Sequence, residues 1–336
     1  MRITLKTIAE ESGFSITTVS RALAGYDDVN EETRRHIIAI AERLGYQPNL
    51  SARQLRSQQS HTIGMVIPLT PYFSDPFFME LLSGVGRQAA EHNYDLRLSA
   101  QVPGQDELNA YHRMVAGRQV DGVVLARVHH QDPRIAYLQQ AQHPFVVFGR
   151  SDAEDYPYID VDSGSGIRLL VEHFADYGHQ RIALILSPRD LMFTTLRLRG
   201  YREAFESLNL PYREGYIQEG DLSQRGGLEA AERLLQLADP PTAIIACNDL
   251  MALGAMTTIQ RRGLRPGQDI AVAGFDDIPA ALDAEPQLTT IHQPIYQIGR
   301  QLTDMLVNLM QGNTPDKPHI LLQPELIIRA SSGPKR

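Results

Sequence analysis

Five groupings in this 336-residue chain invite a catalytic, nucleotide or metal reading, and each fails on spacing or context. Gly84 to Ala89, GVGRQA, satisfies a GxGxxA pattern. It lies inside an amphipathic helical stretch, not at a strand-to-helix turn where backbone amides would meet a phosphate, so helix packing accounts for it. Asp162 to Gly166, DSGSG, is not a GxSxG nucleophile elbow and reads as a helix start. His129 and His130 have no carboxylate or thiolate at ligand spacing, which makes them a solvated loop rather than a metal site. The pairs Asp27-Asp28 and Asp276-Asp277 lack a matched second carboxylate for acid/base work, because adjacent residues point in different directions. No Walker loop is present. Cys247, the only cysteine, excludes an internal disulfide and a multi-thiolate site. What remains is binding chemistry, and we expect no enzyme, no metal and no cofactor.

The elements that must position binding groups come in two styles. From His61 onward, apolar runs alternate with amphipathic helices: TIGMVIPL, a helix through FFMELLSGVGRQAAEH, YDLRLSA, a second helix, VDGVVLA and PFVVFG. Strands buried on both faces of a parallel sheet read this way. The alternation restarts at IDVDSGSGIRLLVEHFADYG and runs through RIALILS, YIQEG, TAIIACN and DIAVAGFD to LTTIHQP, a helix from Ile295 to Met310 and a last strand near Leu326 to Ile328. Two α/β lobes are expected. The segments that follow strands (SDPFF, FGR, RLRG, ACND, GFDD and TTIHQP) should converge on the crevice between them.

The first 46 residues are different. Leu5, Ile8 and Ala9 fall at helical spacing behind Thr4, a good N-cap, and Gly13 stops the helix in a left-handed turn. Ser15 caps a second helix from Ile16 to Leu23, with Val19 and Leu23 inward and Ile16, Thr17, Thr18, Ser20 and Arg21 toward its exposed N-terminal end. A third helix, capped by Asn30, carries Ile37, Ile40, Ala41 and Leu44 on one face and ends at Gly45. Two short helices at a tight corner suit a major groove. They also suit an ordinary helical subdomain.

The whole run separates those two readings. TIAEESGFSITTVSRAL, VNEETRRHI and LGYQPNLSARQL closely resemble the N-terminal domain of the lactose/galactose-repressor family of bacterial transcription regulators. That resemblance implies that Ile16, Thr17 and Arg21 read base edges, and that Thr4, Ser15, Thr18, Ser20, Tyr46 and Asn49 contact phosphates. Arg21 suits a bidentate pair with guanine. Ala24 stands where the family commonly has Asn, so one polar contact fewer is expected. The strap YQPNLSARQLRSQQSHTIG reads as a solvated linker when DNA is absent. The resemblance implies that on DNA it folds into a hinge helix, wedging Leu55 into the minor groove beside Ala52 and Gln54.

The remainder resembles the type-I periplasmic-binding-protein fold, a two-lobe core crossed three times by the chain, with ligand in the cleft. The expected division is 1–46 helix-turn-helix domain, 47–61 hinge, and 62–336 effector and dimerisation domain. Within the last, the first lobe spans about 62–160 and 293–320 and the second about 161–292 and 321–330. Similarity to sugar-responsive regulators of the family implies effector contacts from Arg197, Asn248 and Asp276. Gln293 is a further expected contact, and Phe77, Phe148 and Phe193 suit apolar walls of the cleft or, each of them, ordinary core positions. Asn and Asp exchange hydrogen bonds with vicinal hydroxyls, and Arg offers a planar fork. Asn248 suits the N-cap of a helix starting at Asp249 equally well, Asp276 a turn cap, and Arg197 a surface helix position.

The resulting expectation is a repressor whose operator affinity is set by a small saccharide. The absence of Trp and the Arg/Asn/Asp set favour a neutral sugar over a purine effector of the same architecture. A solute-binding protein for transport would need a secretory signal and no DNA head. MRITLKTIAEES is not such a signal, so a cytoplasmic location is expected, away from any membrane. The formal charge of −8 is unevenly placed: residues 1–61 carry eight Lys/Arg against seven Asp/Glu, leaving −9 on the rest. So faintly basic a head implies that two heads act together on double-stranded operator DNA with an imperfect palindrome. RASSGPKR, without leucine heptads, implies a homodimer rather than a tetramer.

Overall fold

The computed structural model describes residues 3–46, 59–69, 75–151 and 155–333. The chain divides into two compact units, Met1–Gln59 and Ser60–Arg336.

In the first unit, α1 (Leu5–Ser12) starts at Thr4, whose Oγ1 accepts from the Thr7 amide at 3.3 Å, and ends at Gly13 with φ 74°. In α2 (Ile16–Leu23) the Ser15 Oγ accepts from the Thr18 amide at 3.0 Å. In α3 (Glu31–Arg43) the Asn30 Oδ1 accepts from the Glu32 amide at 2.8 Å. Each cap meets one of the donors that a helix start leaves orphaned. Ile8, Val19, Ala22, Ile37, Ile40 and Ala41 make the small core, with Val29 sealing it from the loop. Leu23 packs against this core partly buried and Ala22 is buried beside it, the two being the i+4 and i+3 neighbours of Val19 on one face.

The second unit opens on Ser60 and His61, whose amides both donate to Asp121, at 2.6 and 2.7 Å. These bonds tie 60–61 to the first lobe rather than to a hinge. That lobe holds a parallel sheet in the order β11-β5-β4-β3-β1-β2. In chain order these are β1 (Thr62–Pro68), β2 (Asp95–Gln101), β3 (Gly122–Leu125), β4 (Phe145–Phe148), β5 (Tyr158–Val161) and β11 (His319–Leu322). The helices between them are α4 (Pro76–Glu91), α5 (Gln105–Ala116) and α6 (Pro133–Gln140). The second lobe holds β7-β6-β8-β9, also parallel: β6 (Ile182–Leu186), β7 (Ile217–Glu219), β8 (Ala243–Ala246) and β9 (Ala271–Ala273). Its helices are α7 (Ser163–Asp176), α8 (Met192–Ser207), α9 (Gln224–Leu235), α10 (Asp249–Arg261) and the short α11 (Pro279–Asp283). β3, β4, β6 and β8 are buried at every residue, which is why they read as unbroken apolar runs.

The chain passes between lobes three times. It goes from β5 into α7, from β10 (Thr290–His292) into α12 (Ile295–Met310), and from β11 into β12 (Glu325–Ile327), which pairs antiparallel with β10. β5 and β11 stay paired in the first sheet through Val161 and Leu322, one and two residues beyond the expected crossovers. The His319–Leu322 strand has no alternation marking it in the sequence; it lies at the sheet edge, half exposed.

Candidate functional site

On the head, the N-terminal end of α2 is open. Ile16 is 49% exposed, unusual for a large apolar side chain, and Thr17 and Arg21 are exposed beside it. The Arg21 Nε donates to Asp28 Oδ1 at 3.2 Å, a second guanidinium nitrogen pairs with the other carboxylate oxygen, and the group lies 5.3 Å from the Tyr26 ring centroid. Thr4, Ser15 and Thr18 hydroxyls take part in capping. Ser20 is partly buried, and Tyr46 packs on the edge of the core. Asn49, Ala52, Gln54 and Leu55 lie outside the described residues.

Between the lobes lies a cleft, open to solvent, that encloses about 670 Å³ of empty space with its mouth included. All seven side chains named from sequence line it: Phe77 and Phe148 from the first lobe, Phe193, Arg197, Asn248 and Asp276 from the second, and Gln293 at a crossing. They stand at the carboxyl ends of strands or on the helix that follows, where an open parallel sheet leaves its crevice. Phe77 and Phe148 stack on each other, centroids 5.6 Å apart and planes at 18°.

Arg197 is not a surface residue. It is 5% exposed, its guanidinium lying 3.8 Å from the Phe275 centroid and 4.7 Å from that of Phe193, while Nη1 donates to the Cys247 carbonyl. Its buried Nε has no hydrogen-bond partner among the described residues. Asn248 fills both roles open to it: Oδ1 caps α10 through the Met251 amide at 3.0 Å, Nδ2 donates to the Leu222 carbonyl at 2.9 Å, and one N–H and one lone pair remain. Asp276 accepts from Gln293 Nε2 at 2.7 Å and has φ 125°, a strained backbone for a non-glycine residue. Burial pushes its carboxyl well above the usual range, Asp249 and Asp75 add to this, and Arg197 opposes it.

The first-lobe wall contributes charges that the sequence did not single out. Asp75 pairs with Arg127, and Asp160 accepts from Arg150 Nε at 2.7 Å. Burial raises the Asp160 carboxyl, against the pull of Arg150. Asp75 and Arg150 sit inside the flagged segments SDPFF and FGR, whereas Arg127, with φ 52°, follows β3 with no local signal. Three carboxylates and three guanidiniums thus face one cavity, so its formal charges cancel.

His129 and His130 are not a solvated loop. Both are partly buried and bond to the other lobe: His129 Nδ1 lies 3.2 Å from Asp190 Oδ2, and His130 Nε2 2.9 Å from Thr195 Oγ1. His129 and Leu191 form an antiparallel bridge, and the Met192 amide donates to the Val128 carbonyl at 2.8 Å. A pattern search sees neither bond, because both partners come from a separate lobe. Among the described residues no group of three His, Cys, Asp or Glu is placed to hold a metal, and no helix is long and apolar enough to cross a membrane.

Comparison with known proteins adds to this geometry. Two family models match, "Bacterial regulatory proteins, lacI family" over residues 4–49 and "Periplasmic binding protein-like domain" over residues 171–332. The HTH-type transcriptional regulator AglR of Rhizobium meliloti (strain 1021) is 35% identical over 342 residues, 99% of this chain and 95% of its own. CelR of Thermobifida fusca is 34% identical over 337 residues, 98% of each chain. Among solved structures, the Lac repressor dimer bound to operator and the anti-inducer ONPF superposes with TM-score 0.89 at 30% identity, over 99% of this chain and 100% of that one. The CelR–cellobiose complex superposes with TM-score 0.76 at 32% identity, over 98% and 100%.

Proposed function

The chain belongs to the lacI family of bacterial regulatory proteins, DNA-binding transcription regulators and not enzymes, and on that premise we propose that its effector is a small uncharged saccharide bound between the lobes. The observation that carries this reading is the cavity's charge balance. Three guanidiniums offset three carboxylates, so a ligand with net charge would leave one buried group uncompensated, while a polyhydroxyl ligand both donates and accepts. The Arg197 Nε offers a donor to a ring or hydroxyl oxygen, and Asn248 and Asp276 supply the matching groups. The Phe77–Phe148 pair offers a flat apolar wall against which the carbon face of a sugar ring can pack. That CelR was solved with cellobiose supports the same class. A thermal-shift screen of mono- and disaccharides against purines tests it: a sugar should stabilise the chain by mass action, and stabilisation by purines alone would overturn the reading.

On the DNA side the proposal is a homodimeric cytoplasmic repressor. Ile16, Thr17 and Arg21 read bases in each half of an imperfect palindrome, Thr4, Ser15, Thr18, Ser20, Tyr46 and Asn49 hold phosphates, and Leu55 beside Ala52 wedges the minor groove. Gel shifts should show one half-site bound far more weakly than the full palindrome. Arg21→Ala should lose about 1–3 kcal/mol of operator discrimination, whereas Arg53→Ala or Arg56→Ala should weaken all DNA alike.

A further inference from the structure

Asp249 is the most deeply buried carboxylate near the effector cavity, yet it does not line it. It is 0% exposed at the first position of α10, directly after Asn248. Capping does not require it, because Asn248 already caps that helix. No ion pair to a cation is seen for it among the described residues, and burial pushes its carboxyl up to about 6. A carboxylate in such a place is costly unless its hydrogen bonds do something the fold needs.

Those bonds reach two other segments. Oδ1 accepts from the Thr290 hydroxyl at 2.6 Å on β10, the strand that leads to Gln293. Oδ2 accepts from the Ile278 amide at 2.9 Å, just after the turn carrying Asp276. In that turn two consecutive non-glycine residues have positive φ, 125° at Asp276 and 61° at Asp277, a conformation that persists only where the surroundings impose it. From the other side the backbone makes room: a Cβ on Gly274 would lie 2.2 Å from Asp249 Oδ1. Asp277 is held in turn by Arg329, at 2.6 Å, and by His292, at 3.0 Å.

We propose that Asp249 is a positioning residue of the effector site, fastening the strained Asp276–Asp277 turn to the start of α10 and to β10 so that Asn248, Asp276 and Gln293 meet a ligand in one fixed arrangement. It acts through those three residues and touches no ligand itself. The charged groups that bear on it and on Asp276 are Asp277 on the same turn, Arg197 on α8, Asp75 across the cleft, and His292 and Arg329 through Asp277.

The proposal rests on the effector reading above, and its test separates the two. Asp249→Asn keeps the volume but turns an amide donor toward either Ile278 N–H or the Thr290 hydroxyl. Hydrogen exchange on the full chain without ligand should show residues 276–279 exchanging about tenfold faster while β6 and β8 keep their protection. Cellobiose, maltose and sucrose then serve as probes. The sugar that binds the native chain should bind the variant about tenfold more weakly, and acid loss of its binding should move to lower pH, because a negative neighbour that raises the Asp276 carboxyl has gone. Thr290→Val removes only the Oδ1 bond and should give the same pattern in smaller measure, so the proposal stays testable if Asp249→Asn fails to fold. Native protection at 276–279 in both variants would overturn the proposal. If no sugar binds the native chain, the effector reading fails while the exchange result still decides the role of Asp249.

Discussion

On the first-lobe wall of the cavity each charge is met by a neighbour of the same wall, Asp75 by Arg127 and Asp160 by Arg150. On the second-lobe wall the Arg197 Nε has no partner among the described residues, and Asp276 sits on a strained backbone with Gln293 as its hydrogen-bond donor. Identical residue types are therefore in different states. A wall whose charges satisfy one another fixes the shape and neutrality of the space. A wall with unused donors and acceptors supplies the polar free energy, since a ligand that completes a buried group removes a desolvation penalty already present.

Removing Arg197 should break the contrast most visibly. Arg197→Ala should weaken saccharide binding on the order of a hundredfold, read by calorimetry, because it deletes a charge-assisted donor and leaves Asp276 without its nearby cation. Arg197→Lys should not rescue it, as an ammonium cannot stack its plane between Phe193 and Phe275; full recovery with Lys would show that charge alone matters.

Next comes Asp276. Ligand hydroxyls donate to its ionised form, and its carboxyl is raised, so sugar affinity of the native chain should fall on acidification as that carboxyl takes up a proton. Asp276→Asn should bind about tenfold more weakly at neutral pH and show a flatter profile. Titrations across pH check both statements, and an unchanged profile would remove the carboxylate from the contact.

The first-lobe pair sharpens the comparison through non-additivity. Asp75→Ala should cost more sugar affinity than Asp75→Ala combined with Arg127→Ala, because the single change leaves a half-buried guanidinium unpaired, with the double variant within about fivefold of native. The smallest effect belongs to His130→Ala on the ladder between the lobes. Its side-chain bond to Thr195 is exposed, so unfolding free energy should change by under about 1 kcal/mol.

Local signals made much of this legible. Thr4, Ser15, Asn30 and Gly13 mark the three head helices because capping is a matter of a few consecutive residues. The buried strands announce themselves because a sheet covered on both faces admits only apolar side chains. Arg197, Asn248 and Asp276 were reached through a family resemblance, whereas Phe77, Phe148, Phe193 and Gln293 were reached from residue type and from the segments that follow strands, and periodicity alone left Asn248 as a cap and Arg197 as a surface residue. What stayed hidden depends on partners distant in sequence: Asp75 with Arg127, the bonds of Asp249 to Ile278 and Thr290, and the two histidines, whose partners Asp190 and Thr195 belong to the other lobe.

Besides the three crossings, the lobes are joined by the short ladder of Val128, His129 and His130 against Asp190, Leu191, Met192 and Thr195. Val128 and Phe193 also line the cavity, so an effector bound there would bear on the same arrangement of the lobes as these bonds. Any contact that favours this arrangement without effector raises its resting population, and a ligand can shift only the population that remains. A stronger ladder would leave the switch partly thrown before its signal arrives. A ladder of a few bonds, two of them through the His129 and His130 side chains, would keep that resting bias small.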